Sequence, residues 1–314
     1  MYIIALNDAG QRLDKFLQKA LPSLPLSKLY QAIRQKDVRL NGSRCRQGDR
    51  LSAGDEVRVF LPEAFFEISG PDFLSAPPEL EVVYEDVNLL LINKPQGLLV
   101  HEGESRSPDT LILRILHYLY LGGKWDPEKE QSFTPALCHR IDRNTGGIVI
   151  AAKTFEALRI MTEKIRLREI TKRYLCVVHG SPAKKEGTLT GYLLKDGVTK
   201  KVRVYNKPVP GARTALTRYR VLGEKGGKSL IEAELLTGRT HQIRAQLAAA
   251  GHPILGDAKY GDSRENAGLD NRQALCAYYV GFDFKSPAGS LDYLTGRCFS
   301  IDAPFSNDFP VYSS

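Results

Sequence analysis

Cys138-His139-Arg140-Ile141-Asp142-Arg143-Asn144-Thr145-Gly146-Gly147, followed at once by Ile148-Val149-Ile150-Ala151-Ala152, is the stretch on which the fold of this chain turns. One carboxylate lies between two arginines, two glycines then turn the chain, and the apolar run that follows predicts a buried strand over 147–153. The pattern is a loop feeding a sheet interior, with Asp142 held just before the turn. Further along comes Leu236-Thr237-Gly238-Arg239-Thr240-His241-Gln242-Ile243-Arg244. Together the two segments read as one acid with cationic and hydrogen-bonding support, a candidate catalytic centre without a metal.

Asp142 admits two roles at this point. It could cap the turn or pair with Arg140 or Arg143. It could also be a reactive group, because a carboxylate fixed between arginines stays ionised and can serve as nucleophile or base. Arg244 falls on a helix predicted over 240–250, where Ile243 and Leu247 form an apolar stripe beside Gln242 and Gln246. Either this is a surface helix of mixed polarity or some polar members face a site, and a buried arginine needs a carboxylate. Tyr174 lies in a strand predicted over 172–179, on the face of Lys172 and Cys176. It is a core tyrosine or a cleft residue that stacks on a base or moves a proton.

The chain has 314 residues, room for one large domain and a small one. Its hydrophobic fraction of 42% is ordinary for a globular protein. No run approaches the ~18 apolar residues of a membrane span. The opening Met1-Tyr2-Ile3-Ile4-Ala5-Leu6-Asn7-Asp8 has neither a positive n-region nor a long apolar core, so a cytoplasmic location is expected. Cysteines stand at 45, 138, 176, 276 and 298, with no C-x-x-C pair and an odd count. Reduced, mostly buried thiols are therefore expected, not disulfides or a zinc site. His139, His241 and His252 show no metal-ligand spacing. Gly226-Gly227-Lys228-Ser229 echoes a phosphate-binding loop, but Leu222 stands where its first glycine belongs, and the segment reads as a hairpin turn. Neither a metal nor a cofactor is expected.

Net charge is +8, and residues 28–50 carry a disproportionate share. Lys28, Arg34, Lys36, Arg39, Arg44, Arg46 and Arg50 face only Asp37 and Asp49, a local charge of +5. These residues follow a helix and a hairpin on a small unit spanning 1–62, which favours a phosphate-contacting surface over a merely solvated face. In that unit a first helix carries Leu13, Phe16, Leu17 and Ala20 on one face and breaks at Pro22 and Pro25. A second, capped by Ser27, carries Leu29, Tyr30 and Ile33. Short strands are predicted at 38–40, 50–51 and 57–60, with Asn41-Gly42 and Ala53-Gly54-Asp55 as turns. Residues 63–80, with Pro71, Pro77 and Pro78, read as a linker. From 81 to 314, a buried strand ends at Pro95, and further strands are predicted at 147–153, 172–179, 187–194, 201–206, 213–222 and 229–235. Helices fit 108–120, 154–168 and 240–250, the middle one with Leu158, Met161 and Ile165 on one face. Many antiparallel strands with a few helices make an α+β fold.

Five segments recur in an order that resembles the RluA family of pseudouridine synthases. They are Val82-Val83-Tyr84-Glu85-Asp86 through Ile92-Asn93-Lys94-Pro95-Gln96-Gly97 to His101; His139-Arg140-Ile141-Asp142 with Thr145 and Gly147; Lys172-Arg173-Tyr174; Leu236 to Arg244; and Gly251-His252-Pro253-Ile254-Leu255-Gly256-Asp257 with Tyr260-Gly261. The small unit, with Arg12-Leu13-Asp14, a helix pair and Arg39-Leu40-Asn41-Gly42, resembles the αL RNA-binding domain shared by some ribosomal proteins and RNA-modifying enzymes. The resemblance covers nearly the whole chain. Ile141 stands in place of leucine, a nearly volume-conserving change. Gly146 replaces a serine, which is expected to loosen the loop after Asp142.

The resemblance implies an α+β protein with a small RNA-binding domain ahead of a large mixed, mostly antiparallel sheet with flanking helices. It implies conversion of uridine in RNA to pseudouridine, with the base detached at N1, turned and rejoined through C5. Asp142 would be the essential carboxylate, either attacking the sugar or promoting a glycal-forming elimination. Arg244 would pair with it, Tyr174 would pack on the target base, and Ile243 would line the base's other side. Arg140 would fill the gap left by the extruded uridine. The partner would be structured RNA, with large-subunit ribosomal RNA favoured over transfer RNA, and the protein a monomer. A non-catalytic RNA-binding or ribosome-assembly factor on the same fold has no chemical reason to keep Asp142, Tyr174 and Arg244 together. A methyltransferase would show a glycine-rich cofactor loop and a zinc deaminase a Cys/His set.

Overall fold

The computed structural model describes residues 1–21, 23–62, 65, 73–101, 107–127, 132–197, 199–261, 266 and 272–310. Pro22, Pro71 and most of the expected linker before residue 73 lie outside the described residues.

The first sheet comprises β1 (Tyr2–Ile3), β2 (Val38–Leu40), β3 (Ser43–Arg44) and β4 (Glu56–Val59), in the order β1-β4-β2-β3, covered by α1 (Leu13–Ala20) and α2 (Leu26–Gln35). Leu13, Phe16, Leu17 and Ala20, at helical spacing, pack with Leu29, Ile33, Val38 and Val57 into one core. Asn41 and Gly42 both adopt positive φ, 50° and 74°, the two-residue turn whose twist suits a hairpin. Two sequence expectations are corrected. Pro25, not Ser27, stands at the start of α2 with φ −57°, because proline's fixed φ suits a helix entry and it has no amide hydrogen to leave unpaired there. The strand expected at 50–51 is a single bridge between Arg12 and Arg50. Leu51 pairs with Gln11 and Gly10, and its partner segment turns into α1 too soon for a ladder to form.

The second sheet holds β5 (Val82–Glu85), β6 (Leu89–Lys94), β7 (Ala136–Leu137), β8 (Gly146–Ala152), β9 (Ile170–His179), β10 (Glu186–Lys195), β11 (Val202–Tyr205), β12 (Arg213–Lys225), β13 (Lys228–Leu235), β14 (Leu275–Phe282) and β15 (Cys298–Ser300). Their order is β11-β10-β12-β13-β9-β14-β8-β6-β5, with β7 on β8 and β15 on β14. β14 and β8 run parallel, and the other pairs are antiparallel. The α+β reading, with a mixed and mostly antiparallel sheet, therefore holds. The helices are α3 (Leu111–Leu121), α4 (Phe155–Arg166) and α5 (Gln242–Ala249). Among the described residues, no helix is long and apolar enough to cross a membrane.

Side chains alternate across a strand, and both faces of the central strands are covered. Leu90, Ile92, Val149 and Ala151 join Tyr174, Ile243 and Leu247 in one core. Leu89, Leu91, Ile148 and Ile150 join α4 in another. This two-sided burial is why β6 and β8 read as continuous apolar runs instead of alternating ones. The inward face of α4 is Ala157, Ile160, Met161 and Lys164, with Leu158 and Ile165 half-buried at its border. The stripe is displaced from the one expected because Lys164 is drawn inside by Glu169 at 2.7 Å and by both oxygens of Ser286. The small unit is tied to the start of α4 and to the segment before β7. Asn7 Oδ1 accepts the Phe155 N–H, and Ser132 and Gln11 donate to the buried Asp8 carboxylate.

Gly146 and Gly147 do not form the turn after Asp142; they open β8, and all seven residues of that strand are buried. The turn is closed earlier, by the Thr145 N–H donating to the Asp142 carbonyl. Gly147 has φ 115°, and a Cβ there would lie 2.4 Å from the Ala277 carbonyl oxygen, so glycine is required for the parallel approach of β8 and β14. Gly147→Ala is expected to destabilise the protein by about 3 kcal/mol or more, measured as a fall in the urea midpoint. Gly42→Ala, with open space around its Cβ position, should cost only about 1 kcal/mol, from backbone strain.

Candidate active site

Asp142 lies in the loop between β7 and β8, and that loop is anchored at several points. Lys94, fully buried at the end of β6, donates from Nζ to the carbonyl oxygens of Pro95 (2.8 Å), Leu98 (2.9 Å) and Arg143 (3.0 Å). Three ammonium hydrogens meet three acceptors. Burial pushes the Lys94 pKa down to about 7, against the pull of the Asp142 carboxylate. The Arg143 side chain donates to the Gly97 carbonyl at 2.8 Å, and Gly97 returns a bond to the Arg143 carbonyl. Gln273 donates to the buried Thr145 hydroxyl at 2.7 Å. The loosening expected from Gly146 does not apply to this loop, since that residue already belongs to β8.

Neither neighbouring arginine holds Asp142. Arg143 is engaged with Gly97, while Arg140 is exposed at the rim; its charge adds to burial in lowering the His101 pKa, burial being the larger cause. The partner of Asp142 is Arg244 on α5, whose Nη1 donates to Oδ2 at 2.7 Å. The other edge of the same guanidinium is taken by Asp257, with Nε to Oδ2 at 2.8 Å and Nη2 to Oδ1 at 2.9 Å. The Tyr260 ring lies under the guanidinium, 5.2 Å from centroid to Cζ. Asp257 Oδ1 also accepts the backbone N–H groups of Lys259 and Tyr260. Burial opposes the charge on Arg244, but the bonds and charge of Asp257, then those of Asp142, outweigh it and raise its pKa. Burial likewise acts to raise the Asp257 pKa, and Arg244 more than reverses it.

His241 precedes α5 in the left-handed region, φ 53°. Its Nδ1 is 2.8 Å from the Tyr260 hydroxyl and its Nε2 is 3.9 Å from Asp142 Oδ2. That hydroxyl also accepts the Val202 N–H, so Tyr260 joins the His241 ring to the start of β11. Burial lowers the His241 pKa more than Asp142 raises it. Tyr174 is buried on β9, and its pKa is raised by burial first and by Asp142 second, which keeps the hydroxyl protonated. His139 is pushed down to about 3, chiefly by burial and also by Lys172.

Arg140, Asp142, Tyr174, Ile243 and Arg244 all line one cleft of about 760 Å³. Lys28, Arg34, Lys36, Arg39, Arg44 and Arg46 lie apart from it, exposed on the first sheet and its helices. None of those six forms an ion pair with a described residue, and Arg39 and Lys28 instead stand over the rings of Phe60 and Phe65. Of the cysteines, Cys176 and Cys276 are buried, Cys45 and Cys138 half-buried and Cys298 exposed, so the thiols are less uniformly interior than expected. Sequence reasoning gave Arg244 one carboxylate and missed Asp257, His241 and Tyr260. A guanidinium has two hydrogen-bonding edges, and that was the available signal, since Asp257 closes one of the quoted segments.

A carboxylate at the wall of such a cleft, bonded to a guanidinium that a second carboxylate also holds, can attack a sugar carbon or take a proton. Replacing Asp257 by Asn should cost about 3 kcal/mol or more at neutral pH, the penalty for breaking a buried pair. Because the folded pKa of Asp257 is depressed, its stabilisation is present above the unfolded value of about 4 and is lost as pH falls through the folded value. The difference between wild type and Asp257→Asn, measured by denaturant titration, should therefore shrink below about pH 4.

Residues 88–249 match the RNA pseudouridylate synthase family and residues 11–57 match the S4 domain. The chain is 31% identical over 301 residues to an uncharacterized RNA pseudouridine synthase of Bacillus subtilis, covering 95% of this chain and 92% of that one. It is 32% identical to ribosomal large subunit pseudouridine synthase C of Salmonella typhimurium, covering 97% and 92%, and 36% identical to the protein of that name in Vibrio parahaemolyticus, covering 89% and 86%. The structure of human RNA pseudouridylate synthase domain containing 1 shares the fold, with a TM-score of 0.58 at 21% identity over 75% of this chain and 90% of that one. The family match takes in the Asp142 loop, the Tyr174 strand and the Arg244 helix, and the relatives span most of the sequence: this chain belongs to the RNA pseudouridylate synthase family and carries an S4 RNA-binding domain ahead of the synthase fold.

Proposed function

We propose that the protein isomerises specific uridines of large-subunit ribosomal RNA to pseudouridine, with Asp142 as the essential carboxylate. Residues 1–62 serve as an RNA grip and 81–314 as the catalytic body of a monomer acting in the cytoplasm. The observation that carries the reading is the Asp142–Arg244 contact at 2.7 Å, at the wall of a cleft it shares with Tyr174 and Ile243. The names of the Salmonella and Vibrio relatives support ribosomal RNA over transfer RNA.

The reaction breaks the N1–C1′ bond and forms a C5–C1′ bond. The hydrogen on C5 is lost and one is gained at N1, so composition is unchanged and no oxidant or energy source is consumed. Asp142 either attacks C1′ or takes a sugar proton; both require the ionised carboxylate. Arg244 fixes its direction and offsets negative charge on the detached base. Tyr174, neutral and buried, packs against the base and holds a hydroxyl close to Asp142, while Ile243 forms an apolar wall that keeps the loose base in the cleft. The uridine must leave its stack at a cost of a few kcal/mol. Arg140, exposed at the rim, fills the gap by stacking its guanidinium.

Pseudouridines are mapped in total RNA from cells with and without the gene. Signals lost at large-subunit positions should return with wild type but not with Asp142→Asn; return with Asp142→Asn would refute the essential carboxylate. Arg140→Ala should slow single-turnover conversion about tenfold, the worth of one stacking contact. Its stability should stay within about 0.5 kcal/mol of wild type, and unchanged turnover would remove the stacking role.

A further inference from the structure

The +5 of residues 28–50 has a counterpart at the far edge of the large sheet. Between 195 and 213 the chain carries Lys195, Lys200, Lys201, Arg203, Lys207 and Arg213 against the single acid Asp196, again +5. The two segments together exceed the net +8 of the whole protein, so the remainder is slightly acidic. All six basic side chains of the second segment are exposed. Among the described residues only Arg203 has an acidic partner, Asp196 at 3.5 Å.

The segment runs from the last residue of β10 through the turn and β11 to the first residue of β12, and Lys195 lies opposite Val202 in the antiparallel β10–β11 hairpin. Lysine on an edge strand also discourages sheet-to-sheet aggregation, but that role needs charges spread along β11. Lys195, Lys200 and Lys201 instead flank the hairpin turn, and that end is fastened to the cleft. Lys259 donates from Nζ to the Lys200 carbonyl at 2.6 Å. The Val202 N–H donates to the Tyr260 hydroxyl, whose ring lies under Arg244. Leu193, Val202 and Ala215 share a small core with Ala245 of α5. The Lys259 pKa is lowered by burial and then by Arg244, Lys195 and Lys201, so like charges converge beside the catalytic helix. Such a cluster stores repulsion that a polyanion relieves.

We infer that the turn end of the β10–β11 hairpin, through Lys195, Lys200 and Lys201, is a second phosphate-binding surface. It grips the RNA backbone next to the uridine that enters the cleft, separately from the S4 domain. The inference rests on the proposed function only in taking RNA as the substrate.

The test uses the full chain and the variant Lys195→Gln/Lys200→Gln/Lys201→Gln. Affinity for a labelled RNA stem–loop is measured across a salt series. If the three lysines neutralise phosphates, the slope of log affinity against log salt should fall by about 2 to 3, and affinity at low salt should drop tenfold or more. Pseudouridine formation at saturating enzyme should stay within twofold of wild type. An unchanged slope and affinity in a variant with the wild-type circular dichroism would overturn the inference. Should the triple variant fold poorly, Lys195→Gln and Lys201→Gln singly, each on an exposed side chain, should each lower the slope by about 0.7 to 0.9; no change in either refutes the surface. Wild type that binds RNA with a steep slope yet makes no pseudouridine would refute the reaction and leave the surface standing.

Discussion

One guanidinium between two carboxylates organises this site. Arg244 spends two of its donors on Asp257 and one on Asp142, and it does so from α5, a helix whose first six residues are all buried. An arginine pulled inside costs several kcal/mol in lost hydration unless its hydrogen bonds are met. Asp257 meets most of that cost, which leaves the contact with Asp142 to be set by direction. Because Asp257 also accepts from Lys259 and Tyr260, the guanidinium plane is fixed by backbone as well as by charge. Asp142 therefore meets a donor whose position does not depend on Asp142 itself, the preorganisation that its proposed role at a defined carbon calls for.

The opposite side of that contact is held by different means. Lys94 closes three carbonyls of the 95–143 region, and Gln273 ties Thr145 to the segment that leads into β14. The parallel approach of β8 and β14 at Gly147 and Ala277 brings the Asp142 loop beside β9 and its Tyr174. Asp142 and the arginine bonded to it thus come from segments far apart in sequence, joined at the middle of one sheet.

Much of this was legible in the chain. The buried strand after Gly147, the 3.6-residue spacing in α1, and the polar residues on α5 beside Ile243 and Leu247 each follow from one local rule. What was not legible depends on long-range pairing. Nothing near Asp142 says that Arg140 and Arg143 turn away from it, since Arg143 is diverted by a carbonyl at Gly97. Nor does the local pattern reveal that Lys164, polar and on a helix, goes inside because Glu169 and Ser286 wait for it. Ser27 and the strand at 50–51 failed for the opposite reason: local propensity was right in kind, but Pro25 and the early start of α1 took the position first.

Two carboxylates, Asp142 and Asp257, face the one guanidinium of Arg244, in the cleft proposed to admit a phosphodiester chain. Left alone, that centre would repel its substrate. The lining supplies the remedy: Arg140, Arg166, Arg168, Lys172 and Arg239 border the same cleft as Asp142. Close to the acid, their attraction is strong at the rim and falls off within about 10 Å at moderate salt. Capture of RNA from farther away must come from more extended charge, and the chain concentrates its excess in the basic face of the S4 domain and the hairpin beside α5. The path to the paired carboxylates can then remain attractive to a polyanion although their own neighbourhood is not, a division of labour between the cleft and the surfaces around it.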